Sequence, residues 1–412
     1  MEIYYNLVRE LNFGVMPLEV LTMYNFDENK RRTGTGSVKW DFCKEGIGYE
    51  DVIPLWVADM DFESPKEIKN EMAKRVNHGI FGYSEKSEEF YKSLINWYKE
   101  NQGIDIKKEW ISVSPNLVFA LGLIVKAFSK EGDRILIQPP VYHQFKKVIL
   151  NNNRKVVENP LVLKENKYEI DFNDLENKIK ENNAKIFILC NPHNPVGRVW
   201  NKSEIKNIIK ICKKYNVLLV SDEIHGDLVF DKEKFISLLK YEKEFKDNLI
   251  VLNSASKTFN LGGLHLGNII IPNNKTKEKY DEELSKSGME RPNIFGIVAS
   301  EAGYKYGASW LAEVKNYIKG NINYCKNFIE KEIPKLKMID TEATYLIWID
   351  CRKLNMSDSE LSKFIGEKAK LGVNDGPVFG TGGSGFIRVN VACPRILLEE
   401  AMNRLKKAID LL

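Results

Sequence analysis

Between Asn116 and Ile271 the chain alternates short, wholly apolar runs with amphipathic stretches, and this alternation restricts its fold more than any other feature. The pattern predicts helices over 117–129, 174–182 and 202–215, interleaved with strands over 134–138, 185–190, 217–221, 249–253 and 268–271. Strands without a polar face must be covered on both sides, so an α/β fold is expected, with a mostly parallel central sheet flanked by helices. After Trp310 the character changes to a long helix over 312–332, strands near 345–350 and 386–391, and a last helix over 397–411. This reads as a smaller α+β domain completed by segments near the N-terminus. With 412 residues the chain exceeds one ordinary core. The expected division is an N-terminal extension over 1–22, interrupted by Pro17, then a segment over 23–75 contributing to the small domain. A large domain over 76–307 and the small domain over 308–412 follow.

Composition removes several classes of function. The 61 basic residues nearly balance the 57 acidic ones, and the formal charge of +4 is spread without a basic block, so no nucleic-acid or anionic-membrane partner is expected. The six cysteines are isolated and the five histidines are scattered, with no metal-ligand spacing, so reduced thiols and no metal site are expected. No apolar run approaches the ~20 residues of a membrane span, and Arg9, Glu10 and Glu19 interrupt any signal-peptide core. The expected compartment is the cytoplasm.

In open parallel sheets, ligands sit outside the carboxyl ends of the strands, and Asn191, Asp222 and Ser254 fall there. Just beyond the run over 249–252, Lys257 lies in Ser254-Ala255-Ser256-Lys257-Thr258-Phe259-Asn260, a lysine among small hydroxylated residues. Thirty-five residues upstream, Ser221-Asp222-Glu223-Ile224-His225 places a carboxylate at the tip of a second buried strand. An imine-forming lysine with an acidic partner for a pyridine nitrogen is the arrangement of pyridoxal-phosphate enzymes. Ser114-Pro115-Asn116 breaks the chain before the helix at Leu117, so the free amides of Leu117 and Val118 are expected to face an anion. Arg388 stands in a run otherwise apolar, and a buried arginine there needs an anionic partner such as a carboxylate.

These runs resemble the fold-type I pyridoxal-phosphate enzymes of the aminotransferase superfamily, in particular their MalY/PatB branch of cystathionine β-lyases and cysteine-S-conjugate β-lyases. The resemblance extends over Trp56 to Phe62, Phe81-Gly82-Tyr83, Gln138 to Tyr142, Asn191 to Trp200, Ser221 to His225, Ser254 to Asn260 and Gly385 to Asn390. It implies pyridoxal 5'-phosphate as cofactor, Lys257 as imine lysine and general base, and Asp222 at the ring nitrogen. It also implies Tyr142 stacked on the ring, Asn194 on the phenolic oxygen with His225 near it, and Ser254 adding a hydroxyl at the phosphate. Arg388 would hold the substrate α-carboxylate, with backbone help from Ala58. Tyr83 would reach the phosphate of a neighbouring subunit, which implies a homodimer with shared sites. The family usually has glycine where Asn116 stands, a departure that is tolerable if Asn116 keeps a left-handed turn, which asparagine permits more readily than most residues. His143 and Gln144 replace the family's usual aromatic residue and proline beside the substrate.

The activity implied is β-elimination from a sulfur amino acid such as L-cystathionine or a cysteine S-conjugate, giving a thiol, pyruvate and ammonia. An aminotransferase would use the same lysine and cofactor. A regulatory protein that retained the fold would bind a protein partner through its surface, but intact Lys257, Asp222, Asn194 and Arg388 argue against a dead enzyme.

Overall fold

In the computed structural model, which describes residues 24–412 apart from 232 and 233, seven strands form the central sheet. They are β1 (Ile111–Ser114), β2 (Arg134–Ile137), β3 (Lys155–Glu158), β4 (Ile186–Cys190), β5 (Leu218–Asp222), β6 (Leu249–Asn253) and β7 (Gly267–Ile270). Their lateral order is β1-β7-β6-β5-β4-β2-β3. Strands β2 to β6 are mutually parallel, and β7 runs antiparallel between β6 and β1. Every residue of β4, β5 and β6 is buried, which is why those strands carry no polar alternation.

The strands expected from the apolar runs all form, with ends displaced by one residue at most. The expected α/β architecture is therefore the observed one. The residues expected to form an N-terminal extension, 1–22, lie outside the described residues.

Helix starts follow local chemistry. Asn201 and Glu204 make a reciprocal capping box on the helix Lys202–Lys214. Asn116 caps the helix Leu117–Phe128, its side chain accepting from the Phe119 amide. It does so with φ −162° and ψ 169°, extended backbone and not a left-handed turn. An N-cap side chain reaches back to its own helix only from extended backbone, and capping decides the conformation.

The helix Ile294–Tyr306 was not expected, for a physical reason. It is buried around much of its circumference, between the helices Lys66–His78 and Glu88–Gln102, and so lacks a clean apolar stripe.

The C-terminal part holds a second, antiparallel sheet of β8 (Lys337–Met338), β9 (Leu346–Asp350), β10 (Asn374–Asp375) and β11 (Phe386–Asn390), ordered β8-β9-β11-β10. The N-terminal stretch is stitched to this part. Ile53–Pro54 pairs in parallel with Leu371–Gly372, the Asn390 amide donates to Leu55, and the Asp61 amide donates to Ala392. Residues 53–61 are thereby carried to the carboxyl edge of the large sheet.

Candidate active site

Strands β1, β4, β5 and β6 end, and β7 begins, along one edge. The register pairs Cys190 with Asp222, Asp222 with Leu252, and Gly267 with Ser114. A cavity of about 500 Å³ opens there between the large sheet, the 56–58 segment and β11. Gly267 matters to its floor, because a Cβ at that position would meet Leu117 Cδ2 at 2.5 Å. A side chain there would push Leu117 aside at the first turn of the helix Leu117–Phe128, which comes down over β7.

Lys257 sits on the short helix Ala255–Thr258 that follows β6 directly. Its ammonium donates to the Ala58 carbonyl at 2.5 Å. Among the described residues it has no carboxylate within ion-pair distance. Burial lowers its pKa to about 8, against the pull of Asp59 and Asp222 in the other direction. A lysine so placed offers free amine near neutral pH. Asp222, the last residue of β5, is 5% exposed and accepts from the Ile224 amide at 3.1 Å. Burial raises its carboxyl to about 6, and Lys257 offsets only part of that.

Arg388 projects from the middle of β11 and is buried. It donates to Asn194 Oδ1 at 3.1 Å, to Asn374 Oδ1 at 2.6 Å and to the Trp56 carbonyl at 2.9 Å. The Phe379 ring lies 4.8 Å from its guanidinium carbon. All three acceptors are neutral, and Nε has no partner. Burial lowers its pKa to about 10. A buried guanidinium surrounded only by neutral acceptors is prepared for an anion.

The remaining expected residues line the same cavity, with one exception. Tyr142 meets Phe145 edge-on at 5.8 Å, and burial raises its phenol. His225 packs edge-on against Tyr345, and its Nδ1 has no partner. Leu117, Val118, Ala58 and Asn194 line the wall. Ser254 lines it too, but its hydroxyl donates to the Leu266 carbonyl at 2.6 Å, and its oxygen caps Ser256. The exception is Tyr83, which is 96% exposed and lies away from the cavity, under the Arg291 guanidinium.

Several lining or supporting residues carried no readable signal in the sequence. Asn374 reaches Arg388 only because β10 pairs with β11. Tyr345 donates to the same Ala58 carbonyl as Lys257, at 2.9 Å. Asn390 pins the Val57 and Asp59 carbonyls, at 2.6 Å each. Beneath this segment lies an ionic knot, in which Lys39 is wholly buried and meets Asp61 at 2.5 Å and Asp59 at 3.7 Å. Arg32 bridges the same two carboxylates, and the Trp40 indole donates to Asp61. The apolar spacing used to find strands says nothing about such side-chain pairings.

Known proteins resemble this chain over most of its length. Residues 50–405 match the family described as aminotransferase class I and II. The chain is 39% identical over 386 residues to cystathionine beta-lyase PatB of Bacillus subtilis, covering 94% of this chain and 100% of the relative. The crystal structure of cystalysin from Treponema denticola, which contains a pyridoxal 5'-phosphate cofactor, superposes with a TM-score of 0.91 at 36% identity, covering 95% of this chain and 100% of that one. The pyridoxal-phosphate-bound C-S lyase of Staphylococcus hominis gives 0.88 at 33%, covering 93% and 98%. The chain therefore belongs to the class I and II aminotransferase family.

Proposed function

We propose that the protein is a pyridoxal 5'-phosphate-dependent carbon–sulfur β-lyase acting on L-cystathionine or a cysteine S-conjugate. The overall change takes the conjugate and one water to a thiol, pyruvate and an ammonium ion. The observation that carries the reading is one cavity holding Lys257, Asp222 and a buried Arg388 that lacks an anionic partner. The names of the relatives, cystathionine β-lyase and C-S lyase, favour elimination over amino-group transfer.

The residues fit the cofactor. Lys257 offers an amine of lowered pKa, and Asp222 a buried carboxylate for a cationic ring nitrogen. The first-turn amides of Leu117 and Val118, with Ser254 and Ser256, line the end suited to a phosphate. Tyr142 supplies the aromatic wall, and Asn194 and His225 supply polar groups beside the ring. When bound, the cofactor supplies an electron sink next to the substrate α-carbon.

The chain's own residues do the rest. Arg388 clamps the α-carboxylate, and the Ala58 backbone borders the same pocket. Lys257 moves the α-proton as general base, and Asp222 holds the proton on the ring nitrogen. The Cβ–S bond then breaks with its electron pair leaving on sulfur, and the three-carbon remainder hydrolyses to pyruvate and ammonia.

The reading extends to a homodimer with shared sites. Tyr83 stands fully exposed beside Ile80 and Phe81, which are 66% and 57% exposed, as suits a patch covered by a second copy. Mixing inactive Lys257→Ala and Tyr83→Ala proteins should restore activity, since a mixed dimer has one intact site. No recovery after verified subunit exchange refutes the shared site. All six cysteines are free, which fits a reducing compartment such as the cytoplasm, and no described helix is long and apolar enough to cross a membrane.

The reaction itself is tested with cystathionine in the presence and absence of a 2-oxo acid. Homocysteine, pyruvate and ammonia should form in equal amounts without the acceptor. Turnover that requires the acceptor, seen with amino acids lacking a β-leaving group, replaces the lyase by an aminotransferase.

A further inference from the structure

One neighbour of Arg388 accepts no hydrogen bond from it. The antiparallel register sets Trp348 of β9 and Asn374 of β10 on either side of Arg388, so the three side chains share one face of the small sheet. Phe379, at the end of the turn Gly376–Phe379 between β10 and β11, lays its ring against that row. The guanidinium carbon stands 4.8 Å from the ring centre, over its face, and Trp348 meets the ring edge-on at 5.4 Å. The Phe379 carbonyl accepts from the Val141 amide at 2.9 Å, one residue before Tyr142. Just beyond, Gly380 turns the chain with φ +90° and ψ −158°, a conformation open essentially to glycine alone. Phe379 is buried and held from two sides, its ring by the small sheet and its backbone by the loop after β2.

A guanidinium kept for a substrate needs a neighbour that leaves its donors open. A carboxylate in place of Phe379 would pair with Arg388 and occupy N–H groups that a substrate carboxylate needs. An aliphatic side chain would exclude water but bring no attraction. An aromatic face does both, because its negative face attracts the cation while the N–H groups lie in the guanidinium plane and stay available to acceptors there. We propose that Phe379 is a positioning residue of this site, holding Arg388 for the substrate α-carboxylate through the face of its ring. The proposal rests on the reading of Arg388 as the carboxylate clamp. It gives Phe379 no part in the chemistry at Lys257 and Asp222.

The test compares two ligands of the cofactor-loaded protein, followed by the change in cofactor absorption. L-alanine carries the α-carboxylate and no β-leaving group, and its methyl ester keeps the amine but lacks the carboxylate charge. In Phe379→Leu and Phe379→Met the dissociation constant for L-alanine should rise roughly tenfold, the worth of a desolvated cation–π contact, and that for the ester by less than about twofold. Phe379→Tyr keeps a ring and should retain the affinity of the parent for both. Equal losses for acid and ester make the ring a packing element and overturn the proposal. So does an unchanged affinity for L-alanine in the Leu and Met variants, or a Tyr variant that loses as much as they do. A parent protein that binds acid and ester alike overturns the reading of Arg388 itself, and the role of Phe379 with it.

Discussion

Two neighbouring regions of this protein each bury a lysine, and they treat it in opposite ways. In the knot beneath residues 56–61, Lys39 meets two carboxylates, and Arg32 holds the same pair. On the cavity floor, Lys257 meets only the Ala58 carbonyl, Arg388 meets only neutral oxygens, and Asp222 takes one backbone amide. Paired charge keeps the segment in place. Unpaired charge is kept ready for a ligand, and the pKa of Lys257, Asp222 and Arg388 is displaced by burial as the physical sign of it. The two regions touch at Ala58, whose carbonyl takes Lys257 on one side while its neighbour Asp59 takes Arg32 on the other.

The contrast is broken most severely at Lys257. Lys257→Ala should lower turnover by about 10,000-fold, the upper end for losing a positioned base, with no loss of melting temperature in the cofactor-free protein. A melting temperature that falls sharply would mean that Lys257 is structural, like Lys39.

Lys39→Met should do the reverse. It leaves Asp61 buried beside one remaining cation, and removing one partner of a buried pair costs about 3 to 5 kcal/mol. Denaturant unfolding measures this. An unchanged midpoint would show that the knot does not hold the segment.

Asp222→Asn sharpens the comparison through pH. The folded pKa of Asp222, about 6, lies above its ordinary value of 3.8. Below that ordinary value the carboxyl is protonated in both folded and unfolded chains, and no cost arises. Between pH 3.8 and 6 the unfolded chain ionises while the folded one keeps its proton, so the cost grows across that window and is complete above about 6. In the cofactor-free protein, Asp222→Asn should therefore stabilise on the order of 3 kcal/mol at pH 8, with the gain gone by pH 4 and turnover largely lost. A gain that does not vary with pH would assign the effect to packing.

How much of this was legible in the sequence depends on the kind of force involved. Strands β4, β5 and β6 could be read because burial on both faces makes each an apolar run, with polar residues only at the carboxyl ends of β5 and β6. Lys257 and Asp222 could be read because each follows or ends such a strand, and parallel strands bring those ends to one edge. The roles of Asn374, Tyr345 and Asn390 could not be read, since each depends on a side chain meeting a partner in another element, up to 333 residues away in sequence for Asn390 and Val57. Lys39 carries no sequence signal that separates it from a surface lysine, because its partners Asp59 and Asp61 lie about twenty residues on. Asn116 was placed correctly at the helix start, but its conformation followed from capping, which the substitution of a glycine concealed.

The central claim is that Lys257, and not the paired Lys39, carries the cofactor. Borohydride reduction of the cofactor-loaded protein, followed by peptide mapping, tests it directly. The account predicts that the cofactor-derived mass is fixed on the peptide containing Lys257 and on no other. The mass found on the Lys39 peptide, or no covalent attachment after reduction of a protein with bound cofactor, would contradict it.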